Sequence, residues 1–192
     1  MNDKSKLLNE LEAFIPYNEQ EEADKRLFLT SLLKGEELFY RENKAAHISA
    51  SGWVVNQTRD KVLMAYHNIY HSWAWTGGHA DGEKDLLSVA IREAKEETGI
   101  KTVKPVMEGI FSLEVLTVDG HEKNGSYVPS HLHLNVTYLL EGDEKECIRN
   151  KEDENSKVGW IPIGDCLDVV NEPWMKERIY QKLLKKMDIL KI

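Results

Sequence analysis

The 192-residue sequence predicts an α/β fold in which a mixed sheet is covered by helices. Apolar residues recur at helical spacing over residues 4–40, and short β-like runs begin at His47. From there strands and helices follow one another without strict β-α-β alternation, which favours a mixed sheet. The length suits one domain with appendages, and we expect a helical extension over 1–42 and a main domain over 43–192.

The N-terminal extension carries two helical patterns. Apolar residues recur at near-helical spacing from Leu7 to Ile15, and Pro16 ends this first segment. A second pattern runs from Ala23 to Gly35, a suitable residue for a C-terminal cap. We therefore expect a pair of helices that packs on the main domain.

Five short runs in the main domain are predicted to be strands. The run from His131 to Leu140 alternates most clearly. Leu132 faces one side of it, whereas His131 and His133 face the other. The five runs are Ile48–Asn56, Lys61–His67, Gly109–Val118, His131–Leu140 and Val158–Ile163.

Two helices complete the prediction for the main domain. Asp85–Thr98 is the clearest helical pattern in the chain, and Trp174–Met187 has the pattern of an amphipathic helix. We expect Lys182, Lys185 and Lys186 to lie near the end of the second helix, where cations complement the helix dipole.

The charge balance excludes several classes of function. The chain has 25 Lys and Arg residues against 33 Asp and Glu residues, a formal net charge of −8, whereas nucleic-acid polymers and anionic membranes call for a basic surface. No run approaches the roughly 18 apolar residues of a transmembrane helix, and the first residues do not have the apolar core of a signal peptide. Cys147 and Cys166 lack C-x-x-C spacing, which suits free thiols in a reducing compartment. We expect a cytoplasmic protein that binds neither nucleic-acid polymers nor membranes.

Glutamates gather on one side of the predicted helix Asp85–Thr98. Glu93, Glu96 and Glu97 stand at positions i, i+3 and i+4, so their carboxylates are neighbours. Like charges at this spacing repel one another, and a hard divalent cation such as Mg²⁺ removes that repulsion while it binds phosphate oxygens. Arg92 is placed to hold one of the glutamates in orientation. The alternative is an ordinary solvated acidic face.

The helix belongs to a longer pattern of fixed spacing. A glycine-rich loop precedes the helix, and Gly99 ends it. Gly78–Ile100 resembles the Nudix box, whose pattern is Gly-x5-Glu-x7-Arg-Glu-U-x-Glu-Glu-x-Gly-U, with U an aliphatic residue. Lys84 stands where the pattern has its first glutamate, and Glu83 lies one residue earlier. The matching residues are Gly78, Arg92, Glu93, Ala94, Glu96, Glu97, Gly99 and Ile100.

The resemblance implies a Nudix hydrolase. The family fold is an α/β/α sandwich in which a mixed sheet lies between helices. Family members use Mg²⁺ or Mn²⁺ to hydrolyse a diphosphate bond in a nucleoside diphosphate linked to another moiety. The implied partner is thus a small-molecule diphosphate, in the first place a nucleotide derivative.

The resemblance also implies roles for individual residues. By their positions in the box, Glu96 and Glu97 would be metal ligands, and Glu93 a third ligand or the base that activates water. The carbonyl of Gly78 would reach a metal as well. Many family members add a carboxylate from a loop just before a late tryptophan-containing strand, and we assign this role to Glu154. An ordinary charged loop residue is the alternative at that position.

Three histidines and a tryptophan are candidates for substrate contact. His131 and His133 lie on the polar face of a strand, where imidazoles can contact phosphate or base. A plain structural role and a zinc site are the alternatives for this pair, but no further ligand at the right spacing completes a zinc site. His79 lies in the glycine loop, where it can meet phosphate. Trp75 is a candidate for stacking on a base, although core packing is favoured.

Two other functions fit the same pattern. A Nudix-like sensor would bind a nucleotide without hydrolysing it, and Lys84 supports this alternative. An isopentenyl-diphosphate isomerase would need a cysteine acid near the box, where neither Cys147 nor Cys166 is expected. The family markers for ADP-ribose or dinucleoside polyphosphates are absent from Val115–Val118, so no single substrate is indicated. The helical extension and the closing helix are candidates for shaping specificity or for a homodimer contact.

Overall fold

The computed structural model describes residues 3–34, 37–123 and 125–192, and the predicted cap at Gly35 lies outside them. In these ranges eight strands form one mixed sheet, and β7 and β8 form a separate hairpin. The strands are β1 (Ala46–Val55), β2 (Lys61–His67), β3 (Ser72–Ala74), β4 (Thr76–His79), β5 (Val103–Pro105), β6 (Ser112–Val118), β7 (His121–Lys123), β8 (Ser126–Val128), β9 (His131–Gly142) and β10 (Asn155–Pro162).

The parallel pair of β1 and β9 lies at the centre of the sheet. The whole of β1 pairs with β9, from Ala46 opposite Leu132 to Val55 opposite Glu141. Along its other edge, β1 pairs antiparallel with β4 over its middle, Ser49–Gly52, and with β2 near its end. Strand β9 likewise pairs antiparallel with β6 and then with β5. One parallel pair among antiparallel ones confirms the predicted mixed sheet.

Helices cover both faces of this sheet. The side chains of β1 alternate, so that Ala50 belongs to one apolar cluster and Trp53 to the other. The first cluster contains residues of α1 (Asp3–Ala13), α2 (Glu19–Leu33) and α3 (Leu86–Thr98), and the second contains residues of α4 (Cys166–Val169), a π-helical turn (Met175–Tyr180) and α5 (Gln181–Leu190). The predicted α/β fold with an N-terminal helical segment is confirmed. Within the described ranges, no helix has both the length and the apolar character that crossing a membrane requires.

Helix α2 begins at Glu19, before the apolar pattern that starts at Ala23. The side chain of Asn18 accepts a hydrogen bond from the backbone N–H of Glu21 at 3.0 Å, which caps the first turn. Acidic side chains in this turn also complement the helix dipole. The first turn is polar, so hydrophobic spacing could not reveal it.

Buried charges join α2 and α5 to the sheet. Glu21 of α2 accepts hydrogen bonds from Nζ of Lys186 at 2.8 and 2.9 Å, and Glu114 of β6 accepts one from Nζ of Lys182 at 2.9 Å. The hydroxyl of Ser112 donates to Glu21 at 2.7 Å. We call these five residues the buried network.

The prediction that Lys182 and Lys186 serve the helix dipole is wrong. Helix α5 continues to Leu190 and has no basic residue in its last turn. Both lysines are buried, and Lys185 alone of the three predicted residues is exposed. Their charges are held by carboxylates of other elements, which the pattern of a single helix does not show.

Candidate active site

Helix α3 fixes the positions of the box glutamates. Its apolar residues, Ala90 and Ala94 among them, are buried in the first cluster and dock the helix on the sheet. Gly99 ends the helix with φ +70°, a left-handed conformation that glycine adopts without a Cβ clash. The helix therefore forms over nearly the predicted range, and its polar side carries the carboxylates.

The carboxylates of α3 meet the glycine backbone of β4. A Cβ atom on Gly78 would lie 2.4 Å from Cδ of Glu93, so a side chain there would push this carboxyl group away. The backbone N–H of Gly77 donates to Oε1 of Glu97 at 2.8 Å. Strand β4 and helix α3 thus bring two glutamates against the backbone at Gly78.

Glu97 lies in a buried environment that disfavours the charged form of its carboxyl group. The residue is 8% exposed. Burial raises the pKa of Glu97 to about 8, the N–H of Gly77 opposes this, and the nearby charges of Glu93 and Glu154 raise the pKa further. A cation nearby would oppose the effect of the neighbouring carboxylates and favour the charged form of Glu97.

Glu154 approaches the same place from the loop before β10. Its carboxylate pairs with Nζ of Lys151 at 2.9 Å. Asn155, at the start of β10, donates from Nδ2 to the backbone carbonyl of Glu97 at 3.1 Å, which ties the loop to the last turn of α3. Asn155 was not predicted as a site residue. Its place directly after Glu154 is the one feature of the sequence that could have indicated it.

Arg92 contacts two of the glutamates. Its Nη2 lies 2.9 Å from Oε1 of Glu93, and its Nε lies 3.8 Å from Oε1 of Glu96. This is the placement expected of a side chain that holds glutamates in orientation. We call the group of oxygen donors the carboxylate site, and its members are Gly78, Glu93, Glu96, Glu97 and Glu154.

A family model described as NUDIX domain matches residues 46–183. The chain belongs to the Nudix family. A relative from Bacillus subtilis (strain 168), named "Uncharacterized Nudix hydrolase YvcI", is 26% identical over 62% of this chain and 69% of its own length. The RNA pyrophosphohydrolase of Pelagibacter ubique (strain HTCC1062) is 29% identical over 71% of this chain and 88% of its own. A solved hydrolase of the NUDIX family from Clostridium perfringens has the same fold, with a TM-score of 0.51 and 21% identity over 75% of this chain and 97% of that chain.

Family membership confirms the predicted class of enzyme, a Nudix hydrolase. The Nudix box of this chain departs from the family pattern at Lys84, whose Nζ lies 3.7 Å from the ring centroid of Phe39. The neighbouring Glu83 accepts hydrogen bonds from the backbone N–H groups of Lys84 and Asp85 at 2.7 and 2.9 Å. The departure therefore lies in the loop before α3 and leaves the α3 glutamates in register.

An open groove of about 640 Å³ borders the Nudix box on the side of this loop. Nζ of Lys6, from α1, reaches the groove and pairs with Oδ1 of Asp85 at 3.1 Å. The N-terminal segment therefore forms part of the groove wall. The lining residues are Lys6, Ala80, Asp81, Gly82, Glu83, Lys84, Asp85 and Arg92.

Four histidines, one of which is His79 of the Nudix box, form a cluster at the end of β4. Nε2 of His79 and Nε2 of His131 each lie 3.2 Å from Nε2 of His133. His47, which sequence reasoning missed, stacks on His131 with ring centroids 4.8 Å apart. Burial lowers the pKa of His133 to about 2, and the neighbouring imidazoles add to this effect. The three predicted histidines are thus together, and they face one another.

Trp75 and Cys166 lie in the second apolar cluster, on the opposite side of the sheet from α3. Trp75 is 9% exposed and packs edge to face against Tyr180 in the second cluster, with ring centroids 5.5 Å apart. Cys166 is buried in the same cluster, where burial raises the pKa of its thiol to about 12. Cys147 is exposed in the loop after β9. These positions give no support to a cysteine acid of isomerase chemistry, and they leave little of the Trp75 ring open for stacking.

Proposed function

We propose that this Nudix hydrolase uses a divalent cation to hydrolyse a diphosphate bond in a nucleoside diphosphate linked to another moiety. The observation that carries the proposal is the burial of Glu97 beside Glu93, whose carboxyl group lies against Gly78. Crowded carboxylates lower stability unless a cation joins them, so such a group is typical of a functional site. The name of the Pelagibacter relative, a pyrophosphohydrolase, supports the class of reaction.

The donors of the carboxylate site fit Mg²⁺ or Mn²⁺. Glu93, Glu96 and Glu97 offer carboxylate oxygens and Gly78 offers a backbone carbonyl, and hard oxygen donors are those that these ions prefer. The raised pKa of Glu97 accords with this fit, because a bound cation would favour the charged carboxylate. When bound, such an ion neutralises phosphate charge and lowers the pKa of a coordinated water.

Glutamate and arginine side chains transfer the proton and orient the reacting groups. Glu93 or Glu154 accepts the proton of the water that attacks phosphorus. Arg92 keeps Glu93 in orientation through the 2.9 Å contact. The bond from phosphorus to the leaving oxygen then breaks in line with the attack, and the departing phosphate carries the charge away.

The open groove is our candidate for the part of the substrate beyond the diphosphate. Its lining has three basic residues, Lys6, Lys84 and Arg92, and three acidic ones. The groove wall is therefore balanced in charge on a protein of net charge −8, which lowers the repulsion of a phosphate there. The Lys6 contact supports a role of the N-terminal segment in specificity. Contacts between the substrate and four further residues stay predictions. These residues are His79, His131, His133 and Trp75.

Glu97→Gln tests the proposal most directly. Glutamine keeps the size of the side chain and an acceptor for the N–H of Gly77, but it removes the charge. We expect turnover to fall by about 100-fold or more, because charge that binds a catalytic ion cannot be replaced by an amide. The assay measures release of phosphate and nucleotide from ADP-ribose, nucleotide sugars, dinucleoside polyphosphates, modified nucleoside triphosphates and RNA with a 5′ triphosphate, each with Mg²⁺ and with Mn²⁺. Glu108→Gln, at an exposed loop position, is the matched control.

Full activity of both Glu96→Gln and Glu97→Gln would contradict the proposal. The alternative is a Nudix-like sensor that binds a nucleotide without hydrolysing it. A nucleotide that raises the melting temperature, with no release of phosphate in the presence of either cation, would favour this alternative. Lys84 is the residue that favours this alternative. Sustained turnover of any compound in the panel rules it out.

Location, assembly and domain division stay predictions. We expect a cytoplasmic enzyme that acts on small molecules rather than on nucleic-acid polymers, and the RNA substrate in the panel tests the second point. We also propose the division into residues 1–42 and 43–192, with either the helical extension or the closing helix available for a homodimer contact.

A further inference from the structure

The four clustered histidines come from three neighbouring strands. His47 lies opposite His133 in the parallel pair of β1 and β9, and His79 lies opposite Ser49 in the antiparallel pair of β4 and β1. Residues two apart on a strand share a face, so all four imidazoles project from the same face of the sheet. The register of the sheet, rather than the course of a loop, therefore fixes their convergence.

Two of these rings have one nitrogen fixed by a backbone carbonyl. Nδ1 of His47 lies 3.0 Å from the carbonyl oxygen of Asn43, and Nδ1 of His131 lies 2.9 Å from that of Pro129. A carbonyl oxygen can only accept a hydrogen bond, so in each neutral ring the proton is on Nδ1 and Nε2 has a lone pair. A carbonyl that fixes the tautomer in this way is typical of histidines that bind a metal.

The Nε2 atom of His47 is left unsatisfied in the cluster, and that of His133 has two close neighbours. Nε2 of His47 is buried and has no hydrogen-bond partner among the described residues. Nε2 of His133 lies 3.2 Å from Nε2 of His131 and 3.2 Å from Nε2 of His79, yet a single N–H can direct its hydrogen at only one of them. Buried lone pairs without a donor lower stability, and a cation among them would remove that loss.

We propose that His47, His79 and His133 bind a divalent transition-metal ion such as Zn²⁺, with His131 as a fourth donor. The ligand atoms of the first three lie within 4.8 Å of one another. Tetrahedral zinc with Zn–N bonds of roughly 2.0–2.1 Å needs nitrogens about 3.3 Å apart. Two of the Nε2 pairs are already 3.2 Å apart.

The donor chemistry separates this histidine site from the carboxylate site. Imidazole nitrogens suit Zn²⁺, Ni²⁺ or Cu²⁺, whereas Mg²⁺ requires oxygen donors. His79 directly follows Gly78 in β4, so the two sites share this strand but lie on opposite faces of the sheet. An ion at the histidines links β1, β4 and β9, and so it holds the strand that presents Gly78 to the α3 glutamates. Its role is to position the Nudix box rather than to take part in the reaction.

The competing occupant is a phosphate group of the substrate. Anions are bound by donors, such as N–H groups or cationic side chains. In this cluster the Nε2 atoms of His47 and His131 turn lone pairs towards the centre, because their protons are held at Nδ1. Lone pairs that point at one another attract a cation, so the tautomers inferred from these carbonyl contacts favour a metal over phosphate.

Cobalt gives a spectroscopic test of the histidine site. Metal-stripped protein titrated with Co²⁺ is expected to show the visible absorption of a four-coordinate nitrogen site, and one equivalent of Zn²⁺ is expected to abolish it. His47→Gln and His79→Gln should each weaken Zn²⁺ binding by about 100-fold or more, since even outer residues of a metal site contribute about 10–100-fold. His71→Gln, at an exposed position, is the matched control. Far-UV circular dichroism verifies the fold of each variant, and His79→Gln carries the test if His47→Gln does not fold.

Glu97→Gln distinguishes the two sites. It should keep the cobalt spectrum, because it leaves all four imidazoles in place. A spectrum that is unchanged in both histidine variants, or one that is lost only in Glu97→Gln, would overturn the proposal. Binding of inorganic phosphate that depends on His47 and His79, together with no binding of micromolar Zn²⁺, would overturn it in favour of a substrate contact.

Discussion

The molecule contains two groups of carboxylates that are neutralised in different ways. In the buried network, lysines of α5 lie 2.8 Å from Glu21 and 2.9 Å from Glu114. On α3, by contrast, the ion pairs formed within the described part of the chain are those of Glu93 and Glu96 with Arg92, at 2.9 and 3.8 Å. The first group has its own cations, whereas the second has more negative charge than its neighbours offset.

The pKa values of two glutamates express this difference. Burial opposes the charge of Glu21, but Lys182 and Lys186 outweigh burial and lower the pKa. Burial also opposes the charge of Glu97, and there the nearby carboxylates raise the pKa further. The comparison teaches that a buried charge matched by the chain itself is structural, whereas one left unmatched indicates a site for an external ion.

Lys182→Met is expected to have the largest effect on stability. It leaves Glu114 buried without its cation, and loss of one partner from a buried ion pair lowers the free energy of unfolding by about 3–5 kcal/mol. Urea denaturation measures the loss. Lys185→Met, exposed on the same helix, is the control and should change stability by less than about 0.5 kcal/mol. Equal stabilities of the two variants would show that the buried network is not structural.

Glu97→Gln is expected to change how stability depends on pH when divalent ions are absent. The pKa of Glu97 in the folded protein, about 8, lies above its ordinary value of 4.5, so the folded state holds the proton more tightly and wild-type stability falls as pH rises between these values. The slope is at most about 1.4 kcal/mol per pH unit. Glutamine does not titrate, so the variant lacks this slope. Urea denaturation in EDTA at several pH values measures both proteins, and parallel curves would disprove the raised pKa.

Glu21 of the buried network has the opposite pH signature. The pKa of Glu21 is lowered, so its contribution to stability is present above the ordinary value of 4.5 and is lost as pH falls through the folded-state pKa. Glu21 and Glu97 therefore affect stability in separate pH ranges, and a single set of denaturation curves can distinguish them.

Mg²⁺ is expected to give the smallest of the three effects, and it should act on the carboxylate site alone. At a Mg²⁺ concentration of ten times the dissociation constant, binding adds about 1.4 kcal/mol to the free energy of unfolding. This corresponds to a rise of roughly 3–6 °C in the melting temperature. The rise should be the same in Lys185→Met and absent in Glu96→Gln. Thermal melts at constant ionic strength measure it. An equal rise in Glu96→Gln would place the ion elsewhere.

The Nudix box could be predicted because its information is local. The spacing of Glu93, Glu96 and Glu97 within one helix sets their arrangement, and α3 forms over Leu86–Thr98, within one residue of the predicted start. The mixed sheet could be predicted as well, since the change of period at His47 is also a local signal. In both cases a short stretch of sequence contains the signal, although the pairing of the strands does not follow from it.

The remaining features depend on partners that are distant in sequence. His47 joins the histidine cluster only because β1 and β9 pair in parallel, a register that no segment reveals by itself. Lys182 and Lys186 have the pattern of surface residues, because lysine is rarely buried without a partner. Their partner Glu21 belongs to a helix at the other end of the described chain.

The ion pair between Glu21 and Lys186 also bears on how the chain is made. The two residues are 165 positions apart, so Glu21 leaves the ribosome long before Lys186 is synthesised. At a synthesis rate of about 5–20 residues per second, this interval lasts roughly 8–33 s. Until then Glu21 keeps its charge in water, and α2 cannot settle in its final position. A helix made late in translation therefore completes the burial of one made early.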